Sequence, residues 1–316
     1  MPLRCLVWRG TKRAPAGTRG GGPSGMASQL TERTYVFIDG EYLRQRHREV
    51  MRDFFGVDGE LELSPIMQQA RASRAYFYDA IDYARLPEET DEAWEARIIL
   101  LERYFSYIRS LDGFHVRPGS VRRGKKREQK EVDVSLAVDM MEHGFNGSMS
   151  KAVLIAGDVD FRPVVEALVR HGVFVDVWYH RNSFAQELPG AADFGHEIRF
   201  RDLYSWSTGA FQRAHRIPDE ERRGGQRFGQ LVKTGSMAGV CQVELYKTQI
   251  GDGKTRFDLW IATGQQEAML SHIMVSDKDA DLIGHYAAVQ YAPIVWELGE
   301  HELREMAERA DAGEKK

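Results

Sequence analysis

The segment that most constrains the fold of this chain is Lys151–Phe161, which reads KAVLIAGDVDF. Its AVLIA run is almost wholly apolar, which is typical of a strand buried on both faces of a parallel sheet. Gly157 ends the run, and two carboxylates, Asp158 and Asp160, follow at once. The next segment, Pro163–His171, carries apolar residues at helical spacing, with its proline early, where helices tolerate it. We therefore predict a strand, a turn with two acids, and a helix.

The position of the two acids makes them candidate site residues. Acids that follow a strand of this kind lie at the carboxyl edge of the sheet, where open α/β sheets bind their ligands. The alternative is that Asp158 and Asp160 only cap the turn and the helix, as aspartate often does. This segment alone leaves both interpretations open.

The order of the other elements predicts an α/β fold. Residues 35–43, with the sequence YVFIDGEYL, indicate a second buried strand that ends in Asp39. Further strands are predicted at Arg74–Asp79, Phe114–Val116, Gly172–Trp178 and Glu197–Phe200, and helices at Glu92–Leu111 and Lys130–His143. Strands that alternate with helices favour a doubly wound, mostly parallel sheet joined by right-handed crossovers.

A third acidic position, Asp133, lies in the first turn of the helix predicted at 130–143. A carboxylate is favourable there through the helix dipole alone, so a purely structural role is also open. If the strands that precede Asp39 and Asp158 are neighbours, the acids meet in one crevice, where like charges raise one another's pKa unless a cation compensates. Hard divalent ions prefer oxygen ligands, and Mg²⁺ needs only one or two direct carboxylates plus waters. The pattern predicts a Mg²⁺ or Mn²⁺ site able to activate water and stabilise charge on a phosphodiester.

Four segments in the same order carry a family resemblance. They are VFIDG at 36–40, KEVD at 130–133, IAGDVDF at 155–161, and the set Ser183, Leu188 and Ala192-Asp193-Phe194. Together, over residues 33–206, they resemble the NYN family, a branch of the PIN-like, metal-dependent ribonucleases. The resemblance implies an acidic site that binds Mg²⁺ or Mn²⁺ through Asp39, Asp133, Asp158 and Asp160 and cuts RNA. Asp193 matches the later Ala-Asp pattern, and a helix-end role explains it equally well.

One position departs from the family pattern. Members often carry Asn three residues after the first Asp, and this chain has Tyr42 there. A phenol cannot donate the amide hydrogen bonds that Asn would supply to a phosphate or a carboxylate. The departure leaves the acids in place and bears on the rate of cleavage or the pose of the substrate.

A run of basic residues precedes the helix that carries Asp133. It consists of Arg117, Arg122, Arg123, Lys125, Lys126, Arg127 and Lys130, with Glu128 as the acid inside it. Lysine and arginine contacts to phosphates supply most of the sequence-independent affinity for nucleic acids, so we expect RNA to bind here. The alternative is a solvated loop without a ligand. Three nearby tyrosines, Tyr76, Tyr78 and Tyr83, are candidates to stack on bases or to pack in the core.

Composition limits which classes of protein and which cellular settings are compatible with this chain. The net charge of −4 excludes a uniformly basic nucleic-acid coat. The two cysteines, Cys5 and Cys241, form neither a disulfide framework nor a zinc pattern, which favours a cytoplasmic protein. No apolar run approaches the ~20 residues that cross a bilayer. Residues 1–30, rich in Gly and Arg, predict a disordered tail or a chain whose true start is Met26.

The sequence changes character after the first 208 residues. Residues 209–230 are charged and are predicted to be a linker, and residues 231–316 a small α+β module of unknown role. The predicted elements are a hairpin of Val240–Lys247 and Arg256–Thr263, a helix from Ser276 to about Tyr291, a strand at Ile294–Trp296 and a helix at Glu300–Arg309. Such a module could select RNA, form a homodimer or bind a protein partner.

Two functions of different classes follow. The first is an enzyme, a ribonuclease that hydrolyses RNA at a Mg²⁺ or Mn²⁺ site. The second is an RNA-binding or regulatory protein with a weak or inactive nuclease fold. Tyr42, in place of the usual Asn, is the reason to consider it. A phosphatase with an acidic site is more distant, because only Asp39 occupies the place of its nucleophilic Asp-x-Asp pair.

Overall fold

A computed structural model describes residues 33–81, 85–86, 88–120, 130–238, 241–251, 253–262 and 272–297 of the 316-residue chain. The chain forms two compact units that divide between His215 and Arg216. Two predicted segments, the N-terminal tail and the helix at Glu300–Arg309, lie outside the described residues. Across the described ranges, no helix has both the length and the apolar character that spanning a membrane requires.

The first unit is an α/β domain. Its strands are β1 (Thr34–Asp39), β2 (Arg74–Ile81), β3 (Phe114–Ser120), β4 (Lys151–Ile155), β5 (Phe174–His180) and β6 (Phe194–Ile198). Its helices are α1 (Gly40–Phe55), α2 (Ser64–Ala70), α3 (Asp91–Ser110), α4 (Lys130–Phe145), α5 (Arg162–Arg170), α6 (Glu187–Gly190), α7 (Phe200–Ser205) and α8 (Gly209–Ala214), with a 3-10 turn at Val159–Phe161.

All neighbouring strands in this sheet are parallel, in the order β3-β2-β1-β4-β5-β6. The predicted doubly wound α/β fold is therefore confirmed. The chain order reverses between β1 and β4, where Ile38 is in register with Ile155, the last residue of β4. This is the switch point of the sheet, the place where such folds open a crevice for ligands.

Alternate residues of the strands face two different cores. Phe37 and Tyr76 belong to the core under α4 and α5. Phe77 faces the other side, where its ring lies 6.3 Å from that of Phe105 in α3. Asp39 has the same parity along β1 as Phe37, so its side chain belongs to the α4 side of the sheet.

Strand bounds shift by two residues at β2 and β5, and the differences at β3 and β6 have identifiable causes. β3 continues to Ser120 through Pro118, which is possible because β3 is an edge strand that needs no further N–H donor. β6 begins at Phe194 and ends at Ile198, earlier than the predicted 197–200 strand, because the chain turns into α7 at Phe200.

The second unit is built on an antiparallel sheet. Its elements are β7 (Asp219–Arg223), β8 (Gln230–Met237), β9 (Cys241–Ile250), β10 (Lys254–Ala262), β11 (His272–Asp277), α9 (Ala280–Gln290) and β12 (Ile294–Trp296), and the strand order is β12-β8-β9-β10-β11-β7. The predicted hairpin, formed by β9 and β10, and the predicted short strand β12 are both present.

Two expectations for this part of the chain differ from the structure. The segment predicted as a linker, 209–230, contains α8 and the edge strand β7, which pairs with β11. Ser276 does not begin the following helix, because it belongs to β11 and donates a hydrogen bond to Asp258. The N-cap of α9 is Asp279, whose carboxylate accepts from the N–H groups of Asp281 and Leu282.

Candidate active site at the β1–β4 switch

Asp39 is the last residue of β1 and also the N-cap of α1. Its Oδ1 accepts a hydrogen bond of 3.0 Å from the backbone N–H of Tyr42, which holds the carboxylate at the carboxyl edge of the sheet. The following Gly40 is required by close packing. A Cβ at this position would lie 2.5 Å from the Phe77 ring and 2.8 Å from the Tyr78 carbonyl oxygen.

Asp158 and Asp160 follow β4, the neighbour of β1. Asp158 caps the 3-10 turn, and its Oδ1 accepts a hydrogen bond of 2.9 Å from the Asp160 N–H. The capping role considered for Asp158 is therefore present, and it leaves Asp158 exposed at the switch point. No other hydrogen bond from the described residues reaches the carboxylates of Asp39 or Asp158, so the second oxygen of each remains open to a ligand.

Asp133 interacts electrostatically with the acids at the ends of β1 and β4. It lies in the first turn of α4 and is half-buried. Burial, together with the charges of Asp158, Asp160 and Glu41, raises the pKa of Asp133 to about 6. Asp133 on α4 thus interacts electrostatically with Asp39 of β1 and with both acids after β4, and the four residues Asp39, Asp133, Asp158 and Asp160 are called the acid group.

The pKa of Asp39 rises further, to about 7. Burial is the main cause, and the charges of Asp133, Asp79 and Glu41 add to it, against the lowering effect of the Tyr42 N–H. Such a carboxyl group is half ionised near neutral pH, because burial disfavours its charged form and the neighbouring acids add to that effect.

Two acids beside the group were missed from the sequence. Glu41 lies in the first turn of α1, and Asp79 ends the buried part of β2 as Asp39 ends β1. Asp79 is only 2% exposed, and its Oδ2 lies 2.6 Å from Nη2 of Arg44. Burial still raises the pKa of Asp79 despite this ion pair. The sequence did contain a signal for Asp79, because the strand predicted at Arg74–Asp79 ends in aspartate just as β1 does.

The residues of the acid group fit a hard divalent cation. Within the described ranges, no three His, Cys, Asp or Glu side chains gather closely enough to hold a metal ion by themselves. Mg²⁺ does not require such a cage, because it keeps several waters and binds through one or two carboxylates. A donor set of carboxylates selects Mg²⁺ or Mn²⁺ over softer metals. The raised pKa values of Asp39 and Asp133 are the electrostatic cost that a bound cation relieves.

Tyr42, which stands where the family often has Asn, ties the site together. Its hydroxyl donates to the carbonyl oxygen of Ser183 and accepts from the N–H of His180, both at 2.8 Å. Burial raises its pKa to about 12. Its ring also lies against Gly157, where a Cβ would be 2.5 Å from the ring and 2.4 Å from the Ser183 carbonyl oxygen. Tyr42 therefore connects α1 to the loops after β4 and β5.

Asp193, which matches the later Ala-Asp pattern of the family, lies at the other edge of the sheet. Its Oδ2 accepts a hydrogen bond of 2.9 Å from the N–H of Val175, the second residue of β5. In a parallel sheet the amino end of β5 is opposite the edge that carries the acid group. The position of Asp193 gives it a structural role in joining β5 to the start of β6.

Only part of the basic run lies within the described residues. Arg117 is exposed on β3, and its Nε donates to Asp139 Oδ2 at 3.0 Å. Lys130 begins α4. The other five basic residues, Arg122, Arg123, Lys125, Lys126 and Arg127, fall outside the described ranges, as does Tyr83. Tyr76 and Tyr78 are 3% and 0% exposed, so they pack in the core and do not present faces to bases.

Two comparisons with known proteins gave a match. The family model named NYN domain matches residues 33–198, slightly more than half of the chain. A crystal structure of a protein of unknown function from Vibrio parahaemolyticus is similar at 19% identity, with a TM-score of 0.41, over 55% of this chain and 96% of that one. Comparison with the curated proteins found no match.

Proposed function

We propose that this chain, which belongs to the NYN family and has its PIN-like nuclease fold, is a metal-dependent ribonuclease. It would hydrolyse RNA phosphodiester bonds at the β1–β4 switch. The observation that supports this most strongly is the raised pKa of both Asp39 and Asp133, which burial causes first and the charges of neighbouring acids increase. Such an arrangement is costly for a scaffold and useful for holding a cation.

The acid group would hold the ion. A bound Mg²⁺ or Mn²⁺ lowers the pKa of water and neutralises charge on the phosphodiester. Asp39 and Asp158 each have one oxygen fixed by a backbone N–H, so the other oxygen is preorganised to bind the ion or to orient a water. Asp133 and Asp160 complete the negative crevice. The carboxylates act as ligands and water-positioners, and water is the nucleophile.

RNA binding needs a separate positive surface, because the acid group by itself repels phosphates. The basic run from Arg117 to Lys130 leads directly into α4 and hence to Asp133. We assign it the contact with the RNA backbone, which fits the rule that cations supply affinity without sequence preference.

The test compares carboxylates at the two edges of the sheet. Asp158→Asn and Asp160→Asn should lower the rate of RNA cleavage in Mg²⁺ or Mn²⁺ by about a hundredfold or more, since metal catalysis supplies several kcal/mol. Asp193→Asn is the matched control and should keep the wild-type rate, because an Asn oxygen can still accept from Val175. Chelation by EDTA should stop the wild-type reaction.

RNA affinity is measured beside the rate, with Ca²⁺ in place of Mg²⁺. It should stay constant or rise in the Asp158 and Asp160 variants, because the crevice then repels phosphates less. A wild type that binds RNA but cuts none in either metal would favour the alternative, an RNA-binding or regulatory protein. The observation behind that alternative is Tyr42, whose hydroxyl is fully used in structural contacts.

A further inference from the structure

Helix α3 packs along one narrow side and exposes most of its length. On the packed side, Ile98, Phe105 and Ile108 are buried. The open side carries two large apolar side chains at its middle, Ile99 and Leu100, which are 47% and 64% exposed. Adjacent aliphatic side chains exposed in this way are typical of a surface at which proteins associate.

Four exposed residues form a stripe along this open side. They are Glu92, Ala96, Ile99 and Arg103, and they follow one another at spacings of four, three and four residues. These spacings place all four on one face of a helix, over about 16 Å at the rise of an α-helix. The α3 stripe is defined as these four residues.

The α3 stripe is complementary to itself in the reverse direction. An antiparallel copy with its two-fold axis midway between Ala96 and Ile99 puts Ala96 opposite Ile99. The same operation puts Glu92 opposite Arg103. A small side chain then meets a large one and an acid meets a base, which suits the interdigitation of two packed helices. Because a two-fold contact repeats every pair, such a dimer contains two Glu92–Arg103 pairs.

The two charges of the stripe are available to a second chain. Among the described residues, neither Glu92 nor Arg103 takes part in an ion pair. Other charges of this helix are paired within the chain. Arg97 donates to Glu89 at 2.7 Å, and Asp91 forms an ion pair with Arg85.

We propose that α3 is a homodimer contact, in which the α3 stripes of two copies of this chain pack antiparallel. The partner is a second copy because the charges and sizes along the stripe match their own reverse order. Helix α3 packs on the Phe77 side of the sheet, whereas Asp39 belongs to the α4 side, so the contact leaves the acid group open. The inference does not depend on the proposed ribonuclease activity.

The flanks of the stripe set the strength of the contact. Leu100 and Tyr107, which is 43% exposed, extend the apolar surface on one flank. Glu95 and Glu102 are exposed on the other flank, where each copy meets the same two acids of its partner. A single helix pair with an acidic rim lies at the low end of specific interfaces, so we expect a Kd of roughly 10–100 µM.

The experiment measures the Kd of the dimer by sedimentation equilibrium of the full chain. Arg103→Glu places two acids opposite each other at both ends of the contact and should weaken the dimer about tenfold. Glu92→Arg should weaken it to a similar extent, because two bases then meet. The double variant Glu92→Arg/Arg103→Glu exchanges the two members of each pair, so it should restore the wild-type Kd to within about threefold.

The matched control is Arg109→Glu. Arg109 is exposed on the same helix but lies outside the stripe, so its reversal should leave the Kd unchanged. A wild type that stays monomeric well above about 100 µM would overturn the proposal. So would a dimer on which Arg103→Glu and Arg109→Glu have the same effect, because its interface would lie elsewhere. A double variant as weak as the single ones would overturn the antiparallel register. Melting temperatures measured below the Kd distinguish loss of the dimer from loss of folding.

Discussion

The carboxylates of the two sheets of this protein have opposite environments. In the parallel sheet every strand ends at the same edge, so the acids at the ends of β1 and β4 lie on neighbouring strands at the switch point. In the antiparallel sheet neighbouring strands run in opposite directions, so no edge collects the ends of adjacent strands. Topology alone therefore concentrates charge in one unit and disperses it in the other.

The acids of the antiparallel sheet have partners of their own. Asp258 is 3% exposed, accepts from the Ser276 hydroxyl at 2.6 Å and pairs with Arg256 at 3.0 Å. Glu244 pairs with Arg227 at 2.8 Å. These carboxylates are satisfied by the chain, whereas Asp39 and Asp133 repel each other. The comparison indicates that a metal ion would act at the acids of the parallel sheet and not at the paired acids of the antiparallel sheet.

The largest expected effect is on stabilisation by metal. Saturating Mn²⁺ should raise the melting temperature of the wild type by roughly 5–10 °C, since a ligand at a hundred times its Kd adds about 2.7 kcal/mol. Asp39→Asn should abolish most of this increase. Asp258→Asn should lower the melting temperature but keep the increase with Mn²⁺, as followed by differential scanning calorimetry. An increase retained by Asp39→Asn would place the metal elsewhere.

A smaller effect distinguishes two glycines. Gly157→Ala forces a Cβ against Tyr42 and the Ser183 carbonyl, so it should cost about 1–3 kcal/mol in the free energy of unfolding. Gly251→Ala, in the turn between β9 and β10, meets open space and should change stability by less than about 0.5 kcal/mol. Urea denaturation measures both. Equal costs would show that the loop after β4 is no more constrained than a surface turn.

The smallest expected effect is on pH dependence. Folded Asp39 keeps its proton up to about pH 7, against 3.8 for an ordinary Asp, so the metal-free folded state binds more protons between these values. The free energy of unfolding should therefore fall as the pH rises through that window. Metal binding must displace this proton, so the affinity for Mn²⁺ should rise about fivefold from pH 6 to pH 7, because the ionised fraction of a group with a pKa of about 7 grows by roughly that factor.

The matched variant for this pH effect is Asp39→Asn. Calorimetric titration of the wild type should show proton release on metal binding, and that release should diminish above pH 8. Asp39→Asn should show weak binding with little dependence on pH. If the affinity of the wild type were constant over this range, the negative charge of the site would have to be compensated before the metal arrives.

Much of the first unit could be predicted because its signals are local. The buried runs before Asp39 and Asp158 are short and apolar, and an acid directly after such a run must lie at the sheet edge. β7 and β8 were harder to see, because β7 is charged and exposed and β8 is exposed over its first half. An edge strand with the sequence DEERR has no apolar alternation by which to recognise it.

The role of Tyr42 could not be read from the chain. Its two partners, His180 and Ser183, are 138 and 141 residues away. From the sequence, Tyr42 was notable only because it replaces the usual Asn. The packed structure shows that it joins the loops after β4 and β5. The ion pair of Asp79 with Arg44 could not be predicted for a similar reason. The pattern of a strand does not reveal which helix faces a given residue of that strand.

By itself the sequence determined the α/β class, the acids that end the strands and the family to which these segments belong. The reason is that strand burial, turn chemistry and motif order depend on neighbours along the chain. The tertiary structure decided that Asp133 interacts with Asp39, Asp158 and Asp160, and that Asp193 lies at the opposite edge. Those outcomes depend on strand order and register, which arise only when distant segments pair.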